Sequence, residues 1–332
     1  MAPVQPGNTL PPVSVVIIGR NESGNVKECI TSALEMDYPR ELLEIIYVDT
    51  GSTDGTQDIA RTAGGKVVEV SSPAPSAALA RNRGLTESNH QIIHFVDGDM
   101  TIGPGYLKKA VTRLAGPDMA SVIGRVIERH ADTNWISRVL NIDWKKKDEG
   151  YINAPGGGGT FIKGALEKIG GYNSGLTVAE EIDVGIRLRE AGYKIYLIND
   201  VMAVHDYGVN TIRELVMRFY VSGKGRFRIL VCDNVPPEIR KWSWNLPKQA
   251  AVVLPAISLL LFSGYAYVII AVLLSYPVVY LAIALVSSWK YIITRKLGLD
   301  AFLYSYTFCI MKPVILLGMI RESVAYGLKR LK

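Results

Sequence analysis

Val13-Ser14-Val15-Val16-Ile17-Ile18-Gly19-Arg20-Asn21-Glu22 and Ile45-Ile46-Tyr47-Val48-Asp49-Thr50-Gly51-Ser52-Thr53-Asp54-Gly55 share one plan: a short β-branched run that breaks off into small and polar residues. A run of four to eight such residues bounded by turn formers predicts a buried strand. The plan recurs at Val67–Val70 and at Ile92–Val96, and amphipathic stretches near 25–35, 55–63, 77–88 and 104–115 fall between and after these runs. The alternation is that of βαβ units, so the predicted fold class is α/β: a mostly parallel sheet with helices on both faces. In such sheets ligands gather beyond the carboxyl ends of the strands, which makes the polar residues after each run the candidates for function.

After the first two runs these are Asn21 and Glu22, then Asp49, Ser52 and Asp54. Asp49 suits an N–H of a nucleobase, glycine and serine let a backbone approach a ligand, and Asp54 suits a helix cap; a plain turn with a cap explains the same residues. The fourth run ends in Asp97-Gly98-Asp99, two carboxylates one residue apart. Mg2+ or Mn2+ takes one or two protein carboxylates and leaves its other positions to water and phosphate oxygens, which this DxD arrangement can supply. Arg81 and Arg83, on the helix before that run, have the fork that grips a diphosphate, although a solvated helix face accounts for them equally. Gly156–Gly159 is too long a glycine run for a simple turn and lacks the order of a phosphate-binding P-loop, so it predicts a wall of the donor or acceptor pocket. In Glu180-Glu181-Ile182-Asp183, carboxylates fill the first turn of a predicted helix; they suit the helix dipole, and one of them, Glu181 first, can take the proton of an attacking hydroxyl. His205 follows another apolar run and would complete the metal site as a third ligand beside Asp97 and Asp99.

Taken in order, VSVVIIGRNE, YVDTGSTDGT, FVDGDM and AEEIDVGIRLREAGYKI make the stretch from Pro12 to about Arg228 resemble the family 2 glycosyltransferases of GT-A fold. The resemblance implies a hexosyl-transferring enzyme that uses a nucleotide-diphosphate sugar and a divalent metal and inverts the anomeric centre. It implies that Glu22 and Asp49 hold the nucleoside, Asp97 and Asp99 the metal-diphosphate, and Glu181 acts as base, with Glu180 and Asp183 in the same motif. Two positions depart from the pattern. Thr50 stands where the family has a second aspartate, and Glu181 where it usually has aspartate. The QxxRW motif of processive members is absent, which favours transfer of a single sugar. Donors with uracil or guanine both remain open. A nucleotide-sugar-binding scaffold without turnover, a nucleotidyltransferase, and a transferase to a polyprenyl phosphate that needs no base are the competing expectations.

The 332 residues carry a formal charge of +6 and a mean hydropathy of +0.17, high for a wholly soluble chain. The basic excess is local: eight Lys and Arg against three acidic residues between Arg213 and Lys248, followed by 41 uncharged residues from Gln249 to Trp289. At about 1.5 Å per residue that is twice a hydrocarbon core of about 30 Å, so a hairpin with spans near 250–273 and 277–294 is expected. Basic residues at both of its ends predict a multi-pass protein of the cell (inner or plasma) membrane with both ends in the cytosol. Residues 1–12 lack the features of a signal peptide, so the catalytic domain is expected on the same side. Residues 301–320, interrupted by Lys312 and Pro313, predict an interfacial or re-entrant segment, with a third span as the alternative. The expected organisation is a tail (1–12), a catalytic domain (13–230), a basic juxtamembrane linker (231–248), the hairpin (249–296) and a last apolar segment with a basic tail (297–332). The membrane suggests a lipid-linked or membrane-associated acceptor. Nucleic acid is not expected, because the basic cluster borders the apolar segment. Cys29, Cys232 and Cys309 match neither a disulfide framework nor a zinc spacing.

Overall fold

The computed structural model describes residues 10–131, 133–145, 148–232, 235–241, 243–245, 281, 285–286 and 298–330. The expected hairpin at 249–296 therefore lies outside the described residues, apart from three helical positions. The chain divides into two compact units, one formed by Met1–Arg129 with Lys147–Asp206 and the other by His130–Lys146 with Tyr207–Lys332. The first unit ends at Asp206 and leaves out the segment 130–146, both of which lie within the expected catalytic domain 13–230. The reason is an apolar cluster of Ile136, Leu140, Leu215, Phe219 and Ile315, which ties that segment to the C-terminal helices.

The first unit is an α/β layer structure. Its strands are β1 (Val13–Gly19), β2 (Leu43–Asp49), β3 (Lys66–Glu69), β4 (Ile92–Asp97), β5 (Met100–Ile102), β6 (Met119–Glu128), β7 (Gly150–Tyr151), β8 (Gly159–Ile162) and β9 (Lys194–His205). They form one sheet in the order β3-β2-β1-β4-β8-β6-β9-β5, with β7 against β9. β3, β2, β1 and β4 run parallel, as the alternating pattern predicts, and so do β6 and β9. The rest of the sheet is mixed: β8 enters antiparallel between β4 and β6, and β5 and β7 pair antiparallel with β9. The apolar run that leads to His205 is part of the long strand β9.

The helices of this unit are α1 (Val26–Leu34), α2 (Thr56–Thr62), α3 (Ala77–Glu87), α4 (Tyr106–Leu114), α6 (Lys163–Lys168) and α7 (Glu180–Glu190). Alternation along the strands sends Val16, Ile18, Ile46, Val48, Ile93 and Phe95 to one face, where they meet Ala80 and Leu85 of α3, Leu166 of α6 and Leu188 of α7. Tyr47 points to the other face, beside Ile30 of α1 and Ala60 of α2, so both faces are covered. Such burial, about 25 cal/mol per Å² of apolar surface, fixes the strand ends and with them the loops that follow.

The second unit contains α5 (Trp135–Lys145), α8 (Ile212–Val231), α9 (Gly298–Ile310) and α10 (Lys312–Arg330). α8 starts at a full capping box: Thr211 accepts from the Glu214 backbone N–H at 3.2 Å while Glu214 accepts from that of Thr211 at 2.9 Å. Among the described residues one helical stretch, Asp300–Leu328, is long and apolar enough to cross a membrane by length and composition.

Candidate active site

β1, β2 and β4 end side by side, with Gly19 paired to Asp49 and Ile18 to Asp97. Their loops surround a cleft of about 340 Å³ lined among others by Gly19, Glu22, Thr50, Asp97 and Asp99, with Pro75 to Ala77 from the start of α3 closing one side. A larger hollow near Lys109 and Asp200 lies away from these carboxylates and contains none of the expected site residues.

Arg81 is the centre of the site. Its side chain is only 2% exposed; Nη2 donates to Asp97 Oδ1 at 2.9 Å and Nη1 to Glu180 Oε1 at 2.9 Å. The Tyr172 ring lies 5.5 Å from the guanidinium carbon. Burial opposes the guanidinium charge, but the Asp97 carboxylate, with the other neighbours, outweighs it and raises the arginine above its ordinary range. Asp97 is itself raised, by burial first, with Arg81 holding it down and Asp99 pushing it up. Glu22, on the near wall, is raised by burial and by Asp99, Asp97 and Asp54, against its hydrogen bond from Asn25. His205, the last residue of β9, places Nε2 2.8 Å from Asp99 Oδ2. Burial lowers the imidazole, and Asp99's hydrogen bond and charge overcome that and raise it.

Glu22, Asp97 and Asp99 line the cleft, and their negative charge favours a cation. Among the described residues no three His, Cys, Asp or Glu side chains stand as a ready ligand cluster. The donors fit one nevertheless. Asp99 Oδ1 is buried with no partner among the described residues, and Asp97 Oδ2 faces the Gly156–Gly159 wall, 3.4 Å from where a Gly157 Cβ would stand. Gly158 has no room for a side chain, since its Cβ would come 2.8 Å from the Phe95 backbone oxygen. The glycine run thus makes the close backbone approach that its composition predicts.

α7 begins at Ala179, whose left-handed φ of 62° is unusual for a residue with a side chain. The turn sets Glu180 against Arg81, with Glu181 beside it in the first helical turn. Glu181 is pushed up to about 7, by burial first and then by the negative charge of Glu180.

The comparisons agree with this geometry. The family model "Glycosyl transferase family 2" matches residues 14–165, from β1 through the strand that faces the DxD. Residues 14–165 form a family 2 glycosyltransferase domain. Its relatives include the glycosyltransferase AglE of Haloferax volcanii, 26% identical over 243 residues, covering 69% of this chain and 77% of that one. A β-monoglucosyldiacylglycerol synthase of Synechocystis is 25% identical over 219 residues, covering 60% of this chain and 45% of that one. Among solved structures, the mannosyltransferase PcManGT of Pyrobaculum calidifontis, in complex with GDP-Man and Mn2+, has a TM-score of 0.58 at 18% identity, covering 96% of this chain and 90% of that one. That likeness establishes the GT-A fold.

Within the glycosyltransferase not every expected residue reaches the cleft. Asp49 is fully buried and accepts four hydrogen bonds, from the Gly51 and Ser52 backbones, the Ser52 hydroxyl and Gln57. Its carboxylate shapes the loop that follows β2. Asn21, at φ 58°, joins the two loops through the Ser52 hydroxyl and the Thr53 N–H. Asp54 is an exposed cap for Ser23 and Thr56, lowered to about 2 chiefly by the Thr56 hydroxyl, as the plain cap reading has it. Arg83 is corrected: it is 48% exposed on the outer face of α3 and pairs with Glu87 at 2.8 Å, because two residues along a helix turn it away from Arg81. Asp183 is likewise outside the site, fully buried and paired with Arg187, which in turn donates to the Ile169 and Gly171 carbonyls. Gly98 donates its backbone N–H to Ile18 and lines the cleft between the two aspartates. Sequence reasoning missed Tyr172, which carries no motif, and the Pro75–Ala77 edge, whose only signal is the N-cap Ser76.

Proposed function

We propose that this glycosyltransferase moves a single sugar from a UDP- or GDP-sugar to a membrane-associated acceptor, with inversion at the anomeric carbon. The observation that carries the reading is the contact chain Asp97–Arg81–Glu180, which joins the DxD strand end to the first turn of α7, where Glu181 titrates near neutral pH. A carboxylate raised in this way is suited to take the proton of a hydroxyl acceptor.

In the proposed reaction the acceptor oxygen attacks the anomeric carbon from the face opposite the diphosphate. The bond to the diphosphate oxygen breaks as the new glycosidic bond forms, and the acceptor proton passes to a Glu181 carboxylate oxygen. Glu180 holds the Glu181 proton affinity up, and Arg81 keeps Glu180 and Asp97 in place. Glu22 lines the donor cleft, and the loop that Asp49 and Ser52 shape forms its nucleoside side. Asp97 and Asp99 would hold Mg2+ or Mn2+, with His205 beside Asp99. Such an ion, when bound, supplies positive charge to a departing diphosphate.

The acceptor and location rest on other support. The printed name of the Synechocystis relative is that of a glycolipid synthase. The uncharged stretch 249–289, basic at both flanks, and the apolar stretch Asp300–Leu328 favour a membrane anchor, with the catalytic unit in the cytosol.

The test is release of nucleoside diphosphate by detergent-solubilised enzyme from a panel of UDP- and GDP-sugars, with membrane lipid extract as acceptor, with and without EDTA. Turnover of one donor, lost with EDTA and in Asp99→Ala, is the expected result. Retention of nucleoside monophosphate in the product would place the enzyme in a different transfer class. Unchanged turnover in Glu181→Gln would mean an acceptor already ionised, such as a polyprenyl phosphate.

A further inference from the structure

Length and apolar composition make Asp300–Leu328 a candidate crossing. Its packing argues otherwise. α10 lies against α8 at backbone contact: a Cβ on Gly223 would fall 1.9 Å from the Ile315 carbonyl oxygen, and one on Gly318 would fall 2.1 Å from that of Tyr220. The two helices run parallel, sharing an apolar cluster at Phe219 and Ile315 and a ring contact, 6.0 Å between centroids, at Phe227 and Tyr326. Glu322 of α10 is clamped from α8 by Arg228 at 2.9 Å and Lys224 at 3.7 Å. α10 cannot cross a bilayer without carrying α8 along, and with it Arg218, Lys224, Arg226 and Arg228, each costly in hydrocarbon.

The outer side of α10 is nevertheless apolar. Leu317, Ile320, Val324 and Leu328 are 60%, 50%, 58% and 59% exposed, and their i, i+3, i+7, i+11 spacing sets them in one row. Met217 and Val221 of α8 are also more than half exposed. Arg213, Arg218 and Arg228 of α8 and Arg321 of α10 are exposed cations on the same helix pair.

We propose that α8 and α10 form a single platform lying flat in the surface of an anionic lipid bilayer, with the Leu317–Leu328 row in the acyl boundary and the arginines at the lipid phosphates. An apolar row beside a basic face is the composition of a helix that lies in the interface, and each cation near an anionic surface adds to its hold. The platform is independent of glycosyl transfer, and its test needs neither donor nor acceptor.

The experiment is depth measurement on the full chain in vesicles. Single cysteines replace Leu317, Ile320, Val324 and Leu328 in a Cys232→Ser, Cys309→Ser background, Cys29 being only 1% exposed. Each carries an environment-sensitive fluorophore, quenched by lipids brominated at a shallow or a deep position, with and without phosphatidylglycerol. The expected result is one shared shallow depth for all four, with quenching several-fold weaker when the anionic lipid is omitted. A crossing helix would spread the four probes over about 16 Å of depth, since 11 residues separate the first from the last at about 1.5 Å each. That gradient would overturn the proposal, as would absence of lipid quenching at all four positions, the result expected if another part of the chain covers the row. Equal quenching in both lipid mixtures would overturn the role given to the arginines.

Discussion

Replacing Glu180 by Gln tests the site at its most specific point. Glu181 is raised from an ordinary value of 4.5 to about 7, and after burial the largest cause is the Glu180 charge. If Glu181 is the base, kcat/KM for a hydroxyl acceptor follows its ionised fraction. Activity should then climb about tenfold per pH unit through the acid limb, reach roughly a tenth of maximum one unit below the midpoint, and level off above pH ~8. Glu180→Gln removes the neighbouring negative charge and leaves Arg81 with a single carboxylate partner, Asp97. Both changes favour ionised Glu181, so the acid limb must move to lower pH, and the ratio of variant to wild-type activity must rise as the pH falls. The assay is initial-rate nucleoside diphosphate release from pH 5 to 9 at constant ionic strength and subsaturating acceptor. His205 is raised by the hydrogen bond and charge of Asp99, and Glu180 is not among the causes. A limb that stays in place, or moves up, would refute the assignment of Glu181 as the group that limits the rate.

Three further results are expected. Because the fold raises Glu181, this residue's contribution to stability is complete below pH 4.5 and is lost as the pH rises through about 7; Glu181→Gln should therefore stabilise the fold at pH 8 by on the order of 1 kcal/mol after solvent screening, read as a higher thermal midpoint, while turnover collapses. Arg81→Ala breaks a buried contact to two carboxylates and should cost about 3–5 kcal/mol, whereas Arg83→Ala, on a solvent-facing pair, should stay within about 0.5 kcal/mol; denaturant midpoints of the two variants give the comparison. Gly158→Ala drives a Cβ against the Phe95 backbone and should destabilise, while Gly157→Ala, in ordinary contact distance of Asp97 and Arg81, should fold normally and lower kcat/KM; circular dichroism melts beside the release assay separate the two effects.

The linear sequence was enough for the order of the first four strands, the strand-end loops and the carboxylate motifs, because these depend on local periodicity and on residues next to each other in the chain. Thus the Val13–Ile18 run is β1, and Asp97-Gly98-Asp99 sits at the end of β4. What it left open depended on contacts far apart in sequence. Arg81 and Arg83 are equivalent on paper, and only the packing of α3 on the sheet buries one beneath Asp97 and Glu180, 16 and 99 residues away, and leaves the other to solvent. Glu180, Glu181 and Asp183 share one acidic turn, yet helix geometry with the turn at Ala179 sends the first two to the site and Asp183 to Arg187. The four hydrogen bonds that Asp49 accepts within its own loop are likewise set by how that loop folds. Hydropathy alone made α10 a candidate span. Its close packing through Gly223 and Gly318 onto a basic helix, nearly a hundred residues distant in the chain, is a tertiary fact that no window of sequence contains.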